Sequence, residues 1–127
     1  MLFNYTILFA AIITTVAAVA AQLLLKHGMS SMGDITFSFR AMFELGIYTF
    51  KNIYIFSGLF LLGVSFIVWI WLLSKIQLNI IYPVTASAQL ALIVMASYFI
   101  LRESLSLVQI AGVFVIMLGI FLLAYKI

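Results

Sequence analysis

Residues 52–74 form an uninterrupted apolar run, NIYIFSGLFLLGVSFIVWIWLLS, in which no side chain is charged. The run exceeds the roughly 18 apolar residues that indicate a membrane-spanning helix. Because a helix rises about 1.5 Å per residue, about 20 residues cross a hydrocarbon core that is about 30 Å thick. This stretch therefore predicts a helix over residues 53–74 that crosses a lipid bilayer.

Three further charge-free runs lie on either side of it, at residues 1–25, 76–101 and 104–125. They predict transmembrane helices over 3–25, 80–101 and 105–125. Of the 127 residues, 68% are hydrophobic and 7% are charged, and the mean hydropathy of +1.37 lies far outside the range of soluble domains. We expect a single all-α integral membrane domain of four helices, numbered 1 to 4 here, with no room for a water-soluble domain.

The connection between the first two predicted helices is longer than the others and has a pattern of its own. After several turn-forming residues, apolar side chains recur on one helical face, with Arg40, Glu44 and Lys51 toward the other. The segment is too short and too charged to span a bilayer, so we expect an amphipathic helix over about 34–50 in the headgroup plane. Asp34 is the expected N-cap. A helix that packs on the mouth of the bundle without a role in lipid contact is an equal alternative.

Charged residues are restricted to the ends of the predicted helices and to their connections. A proton pump needs a titratable group at membrane depth, and a membrane enzyme needs an acid, a base or a metal site. The chain has no cysteine and a single histidine, His27, so it offers neither a thiolate site nor a histidine cluster. Its net charge of +3 is spread over the connections, without the basic stripe of a nucleic-acid-binding protein. We expect no enzyme activity, no metal or other cofactor and no nucleic-acid partner.

The distribution of basic residues gives only a slight preference for one membrane orientation. One side carries Lys26, Arg40, Lys51 and Arg102, and the other carries Lys75 and Lys126. The positive-inside rule thus leans toward both termini outside. A chain with so small a bias can insert both ways, and an antiparallel pair of chains would supply the inverted repeat on which many transporters are built.

Uncharged polar and aromatic side chains are the remaining candidates for contact with a substrate. In lipid, such polar side chains must face protein or water. The candidates are Gln22 near the end of helix 1, Trp69 in helix 2, and Tyr82, Thr85 and Gln89 in helix 3. Interhelical hydrogen bonding is an alternative role for Gln22 and Gln89, and an interfacial aromatic belt is the alternative for Trp69. Thr14 and Ser65 are expected to serve in packing.

Small residues indicate two places where helices can approach closely. Helix 1 is thin because it carries Ala17, Ala18, Ala20 and Ala21. Gly112 and Gly119 lie on one face of helix 4, a pattern that favours helix–helix contact within the bundle or across a dimer.

Four short motifs occur in a characteristic order along the chain. They are AQLLLK at 21–26, IIYP at 80–83, RESLS at 102–106, and QIAG at 109–112 followed by Gly119. In their order and spacing they resemble the drug/metabolite transporter superfamily and its four-helix, small-multidrug-resistance-like (EamA-like) branch. The length of the chain and its extended first connection look most like the small subunits of the aminoarabinose–phosphoundecaprenol flippase.

The small multidrug resistance antiporters of this superfamily work as antiparallel dimers. This chain resembles them but differs at two of their functional positions. Their proton-coupling glutamate in helix 1 is matched by Ala18 here, and their substrate-stacking tryptophan by Thr85. Tyr82 matches their helix 3 tyrosine, and the glycines of helix 4 match the stretch that forms their dimer contact. The resemblance therefore implies their scaffold without proton-driven drug export.

The function that this resemblance implies is a transporter subunit in the inner or plasma membrane of a bacterium or archaeon, which flips a sugar carried on a polyprenyl phosphate. The five candidate side chains would contact the sugar, and Lys26 or Arg102 would attract the phosphate. Because four helices make a thin bundle, we expect a second copy or a related four-helix chain to complete the pathway. The alternatives are a homodimeric exporter of small metabolites and an accessory subunit that scaffolds a membrane enzyme without transporting anything.

Overall fold

The computed structural model describes residues 5–125, which are helical apart from short connections. The helices are α1 (Tyr5–Ser30), α2 (Phe39–Lys51), α3 (Ile53–Leu73), α4 (Leu78–Phe99) and α5 (Leu107–Tyr125). This confirms the predicted all-α class for that part of the chain. The start of helix 1 predicted at residue 3 lies outside the described residues.

Three of the helices, α1, α3 and α4, are long and apolar enough to cross a membrane. The apolar part of α5, Leu107–Leu123, is shorter. The chain is therefore a multi-pass membrane protein, and the fourth crossing stays a prediction.

α1 and α3 form the most extensive helix contact in this part of the chain. They are antiparallel, since Thr14 meets Ser65 and Gly28 meets Ile55. Small residues allow this close approach, as the alanines of helix 1 predicted: Ala18 and Ala21 are buried. Gly58 of α3 lies so close to α1 that a Cβ atom there would be 2.9 Å from Cγ of Leu25 and 3.1 Å from the carbonyl oxygen of Ala21. The two helix backbones thus define the rigid centre of the molecule.

An apolar cluster holds the end of the bundle where α3 turns into α4. Its members are Ile7 and Ala11 of α1, Leu72 of α3, Ile76 of the turn, and Ile80 and Ile81 of α4. Leu72 and Ile81 are fully buried. Away from this end, α3 and α4 contact each other much less than each contacts α1, so a gap is left between them.

The first helix continues beyond its predicted end at residue 25 and finishes at Ser30. The prediction was short because Lys26 and His27 mark where polar surroundings begin, and charged residues do not end a helix. The hydroxyls of Ser30 and Ser31 donate to the carbonyl oxygens of His27 and Gly28, at 2.6 and 2.8 Å. These bonds satisfy carbonyls that the last turn leaves without partners.

α2 begins later than predicted, and its N-cap is Ser38, so the assignment of that role to Asp34 was wrong. The Ser38 hydroxyl accepts a hydrogen bond from the Ala41 amide at 3.1 Å. Gly33 has a φ of +75°, which turns the chain after α1, and residues 34–37 lie outside the helix. α2 packs against α3 without burying any residue, and Phe39, Phe43 and Phe50 stay exposed.

α5 lies at the edge of the bundle, where its only helix contacts within residues 5–125 are with α4. None of the residues of α5 for which burial is described, 107–123 and Tyr125, is buried. At Gly112 and Gly119 a Cβ atom would meet nothing within 4 Å. The face predicted to pack against another helix is therefore uncovered in the single chain.

Candidate functional site

A cavity of about 590 Å³ lies in the gap between α3 and α4, beside the middle of α1. Its lining consists of Thr14 from α1, Leu59, Leu62, Gly63, Ser65, Phe66 and Trp69 from α3, and Tyr82, Thr85, Ala86 and Gln89 from α4. This volume lies within the range of about 300–1,000 Å³ that is typical of small-molecule sites. The cavity can therefore hold a group the size of a sugar.

The part of α4 that lines the cavity contains a proline within the helix. Pro83 is buried within α4, where it lacks an amide hydrogen and its ring crowds the carbonyl one turn earlier. Thr85 donates its hydroxyl hydrogen to carbonyl oxygens of the preceding turn, 2.9 Å from that of Ile81 and 3.2 Å from that of Tyr82. The Thr85 hydroxyl is thus fixed by the backbone, and its oxygen remains able to accept a hydrogen bond.

The structure brings four of the five predicted substrate-binding residues together in this cavity: Trp69, Tyr82, Thr85 and Gln89. The rings of Trp69 and Tyr82 meet edge to face, with centroids 6.2 Å apart and an interplanar angle of 68°. Gln22 is exposed on α1, about two turns before that helix ends at Ser30, and is not part of the lining. It is thus separate from the group that the sequence placed with it.

The polar groups of the cavity are uncharged, and several of them are free to bind. Within residues 5–125 the side-chain amide of Gln89, the hydroxyl of Tyr82 and the indole nitrogen of Trp69 form no hydrogen bond. None of the described residues that line the cavity is acidic or basic. In the same part of the chain, no three acidic, histidine or cysteine residues come together to hold a metal ion. The site therefore offers hydrogen bonds and ring faces rather than charge or metal chemistry.

Thr14 and Ser65 also line the cavity, a role that sequence reasoning missed. The Thr14 hydroxyl donates to the backbone carbonyl of Ser65 at 2.8 Å, and the Ser65 hydroxyl donates to that of Thr14, also at 2.8 Å. Both residues are buried. The reciprocal pair fastens α1 to α3, in agreement with the packing role that was expected. Nothing in the sequence distinguishes them from the neighbouring Thr15 and Ser57, because the pairing depends on the register of α1 and α3.

We predict that the Thr14 and Ser65 hydroxyls each stabilise the contact between α1 and α3. Each donates to the backbone carbonyl of the other residue, and that carbonyl is retained when the other side chain is replaced. Thr14→Val and Ser65→Ala should therefore each lower the free energy of unfolding in detergent micelles by about 0.6 kcal/mol, the average for hydrogen bonds between membrane helices. Ser57→Ala is the control, and it should lower the free energy by less. No loss in either Thr14→Val or Ser65→Ala would show that the pair contributes nothing to stability.

The two predicted phosphate ligands, Lys26 and Arg102, lie away from the cavity at the end of the bundle where α1 finishes. The Lys26 ammonium is 3.7 Å from a carboxylate oxygen of Glu103, and both side chains are exposed. Arg102 adopts a positive φ of 56° in the turn between α4 and α5. An exposed ion pair of this kind contributes about 0–1 kcal/mol, so it is easily exchanged for a pair with a phosphate.

A comparison with curated proteins identifies a relative that matches nearly the whole chain. The probable 4-amino-4-deoxy-L-arabinose-phosphoundecaprenol flippase subunit ArnF of Proteus mirabilis (strain HI4320) is 32% identical over 123 residues, which cover 91% of this chain and 90% of the relative. The chain belongs to the ArnF family. No family model matches it, and no solved structure matches it.

Membership of the ArnF family confirms the predicted closeness to flippase subunits. The relative is named as a subunit of a transporter and not as an enzyme, in agreement with the sequence prediction. Placement of the ArnF family within the drug/metabolite transporter superfamily stays a prediction.

Proposed function

We propose that this chain is one subunit of a flippase in a bacterial inner membrane, which moves a sugar linked to a polyprenyl phosphate from one leaflet to the other. The name of its ArnF relative supports the substrate class. The observation that carries the proposal is the uncharged cavity at membrane depth, in which Gln89, Tyr82 and Trp69 have no hydrogen-bond partner within the described chain.

In this proposal the cavity holds the sugar while the prenyl tail stays in lipid. Sugar hydroxyls both donate and accept hydrogen bonds, as do the Gln89 amide and the Tyr82 hydroxyl. Leu59 and Phe66 line the cavity and are also 45% and 60% exposed, so they present an apolar rim to the bilayer. An amino sugar would also gain from the ring of Trp69, since aromatic faces attract ammonium groups.

The proposal includes a partner chain. The cavity is bounded by α1, α3 and α4, and the face of α5 that carries Gly112 and Gly119 is open. A second four-helix chain, identical or related, would pack against α5 in the membrane. α5 would then be the fourth crossing, and the exposed phenylalanines of α2 would lie among the lipid headgroups.

A direct test is the flipping of a fluorescent polyprenyl-phosphate sugar in proteoliposomes. The chain, with its partner if one co-purifies, should accelerate flipping over that in protein-free vesicles. No acceleration would refute the proposal. Acceleration of the uptake of water-soluble sugars instead would identify a metabolite exporter, and activation of a co-purifying enzyme without flipping would identify an accessory subunit.

The two glutamines should differ sharply in this assay. We expect Gln89→Leu to slow flipping by about two- to tenfold, the effect of losing one net hydrogen bond to the cargo. Gln22→Leu removes the same amide outside the cavity and should leave the rate unchanged. Equal slowing by both substitutions would contradict the placement of the sugar in this cavity.

A further inference from the structure

A second polar pocket, of about 400 Å³, lies at the end of the bundle where α1, α2 and α3 meet. It is lined by His27, Ser30 and Ser31 of α1, Tyr48 and Lys51 of α2, and Asn52, Ile53 and Tyr54 at the start of α3. No residue of this pocket lines the cavity between α3 and α4. Tyr54 and Leu59 are five positions apart on α3, which places them about 140° apart around the helix. The pocket therefore faces a different side of the molecule.

Most of the hydrogen-bond acceptors in this pocket are already occupied. The amide of Asn52 donates to the Tyr48 hydroxyl at 3.0 Å and to the Gly28 carbonyl at 3.4 Å. The Tyr48 hydroxyl is 2.8 Å from that of Ser31, which in turn donates to the Gly28 carbonyl. The side-chain oxygen of Asn52 accepts from the first amides of α3. This network fastens α2 to α1 and α3.

Hydrogen bonds also affect the ionisation of Tyr48. Its contacts with the side chains of Ser31, first, and of Asn52, second, hold the pKa of its phenol below the ordinary value, while burial opposes them.

Two nitrogen-bearing side chains of the pocket, Lys51 and His27, remain free. The Lys51 ammonium and the ring nitrogens of His27 form no hydrogen bond or ion pair within residues 5–125. None of the described residues that line the pocket carries a carboxylate. Of the three acidic residues of the chain, Glu44 pairs with Arg40, Glu103 pairs with Lys26, and Asp34 is not part of the lining. A pocket in which most acceptors are satisfied, and in which a lysine ammonium and an imidazole N–H are free to donate, suits an anion.

The surroundings of the pocket indicate that this anion is carried by a lipid. Phe50 precedes Lys51 and is 78% exposed, and Ile53 is 73% exposed. The rings of Phe50 and Phe56 are 6.1 Å apart and extend the apolar surface along α3 toward the membrane interior. Lys51 thus lies at the boundary between the polar pocket and an apolar surface. This arrangement matches a membrane lipid, in which a charged phosphate is joined to an apolar chain.

We propose that this pocket binds the phosphate ester of a membrane lipid, with Lys51 as the main ligand and His27 as a second donor. The proposal concerns binding alone, so it holds or fails independently of flipping. The lipid is either the polyprenyl phosphate or an anionic phospholipid of the bilayer, and both share the same phosphate chemistry.

Native mass spectrometry of the purified full-length protein tests the proposal with four probes: a polyprenyl phosphate, the uncharged polyprenol, phosphatidylglycerol and inorganic phosphate. Lys51→Gln should weaken the binding of the phosphate lipids about tenfold, the effect of losing a charge-assisted hydrogen bond. Lys51→Arg should retain most of it, since the cation is kept. The matched control is Arg40→Gln, which removes one cation from the same helix but from a side chain paired with Glu44 at 3.3 Å, and it should leave binding unchanged.

The probes also separate the possible ligands. Tighter binding of the polyprenyl phosphate than of phosphatidylglycerol would identify a docking site for cargo, and the reverse would identify a structural lipid; both support the site. Equal losses in Lys51→Gln and Arg40→Gln, or equally tight binding of the polyprenol, would overturn it. Binding of inorganic phosphate as tight as that of the lipids would overturn the assignment to a lipid. Unchanged circular dichroism and elution volume of Lys51→Gln show that the variant is folded.

Discussion

Gly63→Phe should reduce the flipping of a polyprenyl-phosphate sugar to the rate of protein-free vesicles, while the protein remains folded. Gly63 lines the cavity, and a Cβ atom added there would meet nothing within 4 Å. The Cβ atom of a phenylalanine therefore meets no neighbour, and its ring would occupy cavity volume that the sugar needs. The proteoliposome flipping assay measures the loss, and thermal unfolding in detergent shows whether stability is retained.

The matched control for this substitution is Gly46→Phe in α2. A Cβ atom at Gly46 also meets nothing within 4 Å, and α2 contributes no residue to the cavity. The variant should flip cargo at the rate of the unmodified protein. A fully active Gly63→Phe would show that the cargo does not pass through this cavity.

Gly58→Ala should lower the free energy of unfolding by about 1–3 kcal/mol, the usual effect of overpacking a tight contact. The added methyl group would lie 2.9 Å from Cγ of Leu25 and 3.1 Å from the Ala21 carbonyl oxygen. Neither atom is the free end of a flexible side chain, so α1 and α3 must move apart to admit it. Unfolding by denaturant in mixed micelles gives the difference in free energy.

Gly63→Ala, one helix turn and a half further along α3, is the comparison for that measurement. It gains the same helix propensity, about 1 kcal/mol over glycine, at a position where nothing lies within 4 Å. It should be neutral or stabilising. Similar losses in both variants would mean that the contact between α1 and α3 at Gly58 is looser than the structure has it.

The functional site was partly predictable from the sequence, and the two glutamines show where prediction stopped. Both are neutral amides in apolar helices, so neither hydropathy nor helix periodicity distinguishes Gln22 from Gln89 as a substrate-binding residue. The structure places Gln89 in the lining of the cavity and leaves Gln22 exposed on α1. Which of them faces the gap depends on how α4 and α1 are rotated in the bundle, and that rotation is set by packing against α3.

The two tryptophans of α3 also differ in their surroundings. Trp69 lines the cavity beside Tyr82, whereas the Trp71 ring is exposed and lies 5.7 Å from the Lys75 ammonium. Two positions along a helix differ by about 200° in direction, so neighbours of identical chemistry face opposite environments. The sequence alone does not distinguish the two tryptophans, because both lie near the end of the same apolar helix.

The linear order of residues determined the apolar helices and the confinement of charge to their ends. A charged group at the centre of a bilayer costs several kcal/mol however the helices pack. The confinement of charged residues to the helix ends can therefore be recognised from the sequence without knowledge of the tertiary structure. Only the tertiary structure decided that Thr14 would bond to Ser65, that α3 and α4 would diverge to form a cavity, and that Lys51 and His27 would share a pocket. Those outcomes depend on contacts between residues far apart in the chain, since the register between packed helices is set by close-packed shape rather than by hydropathy.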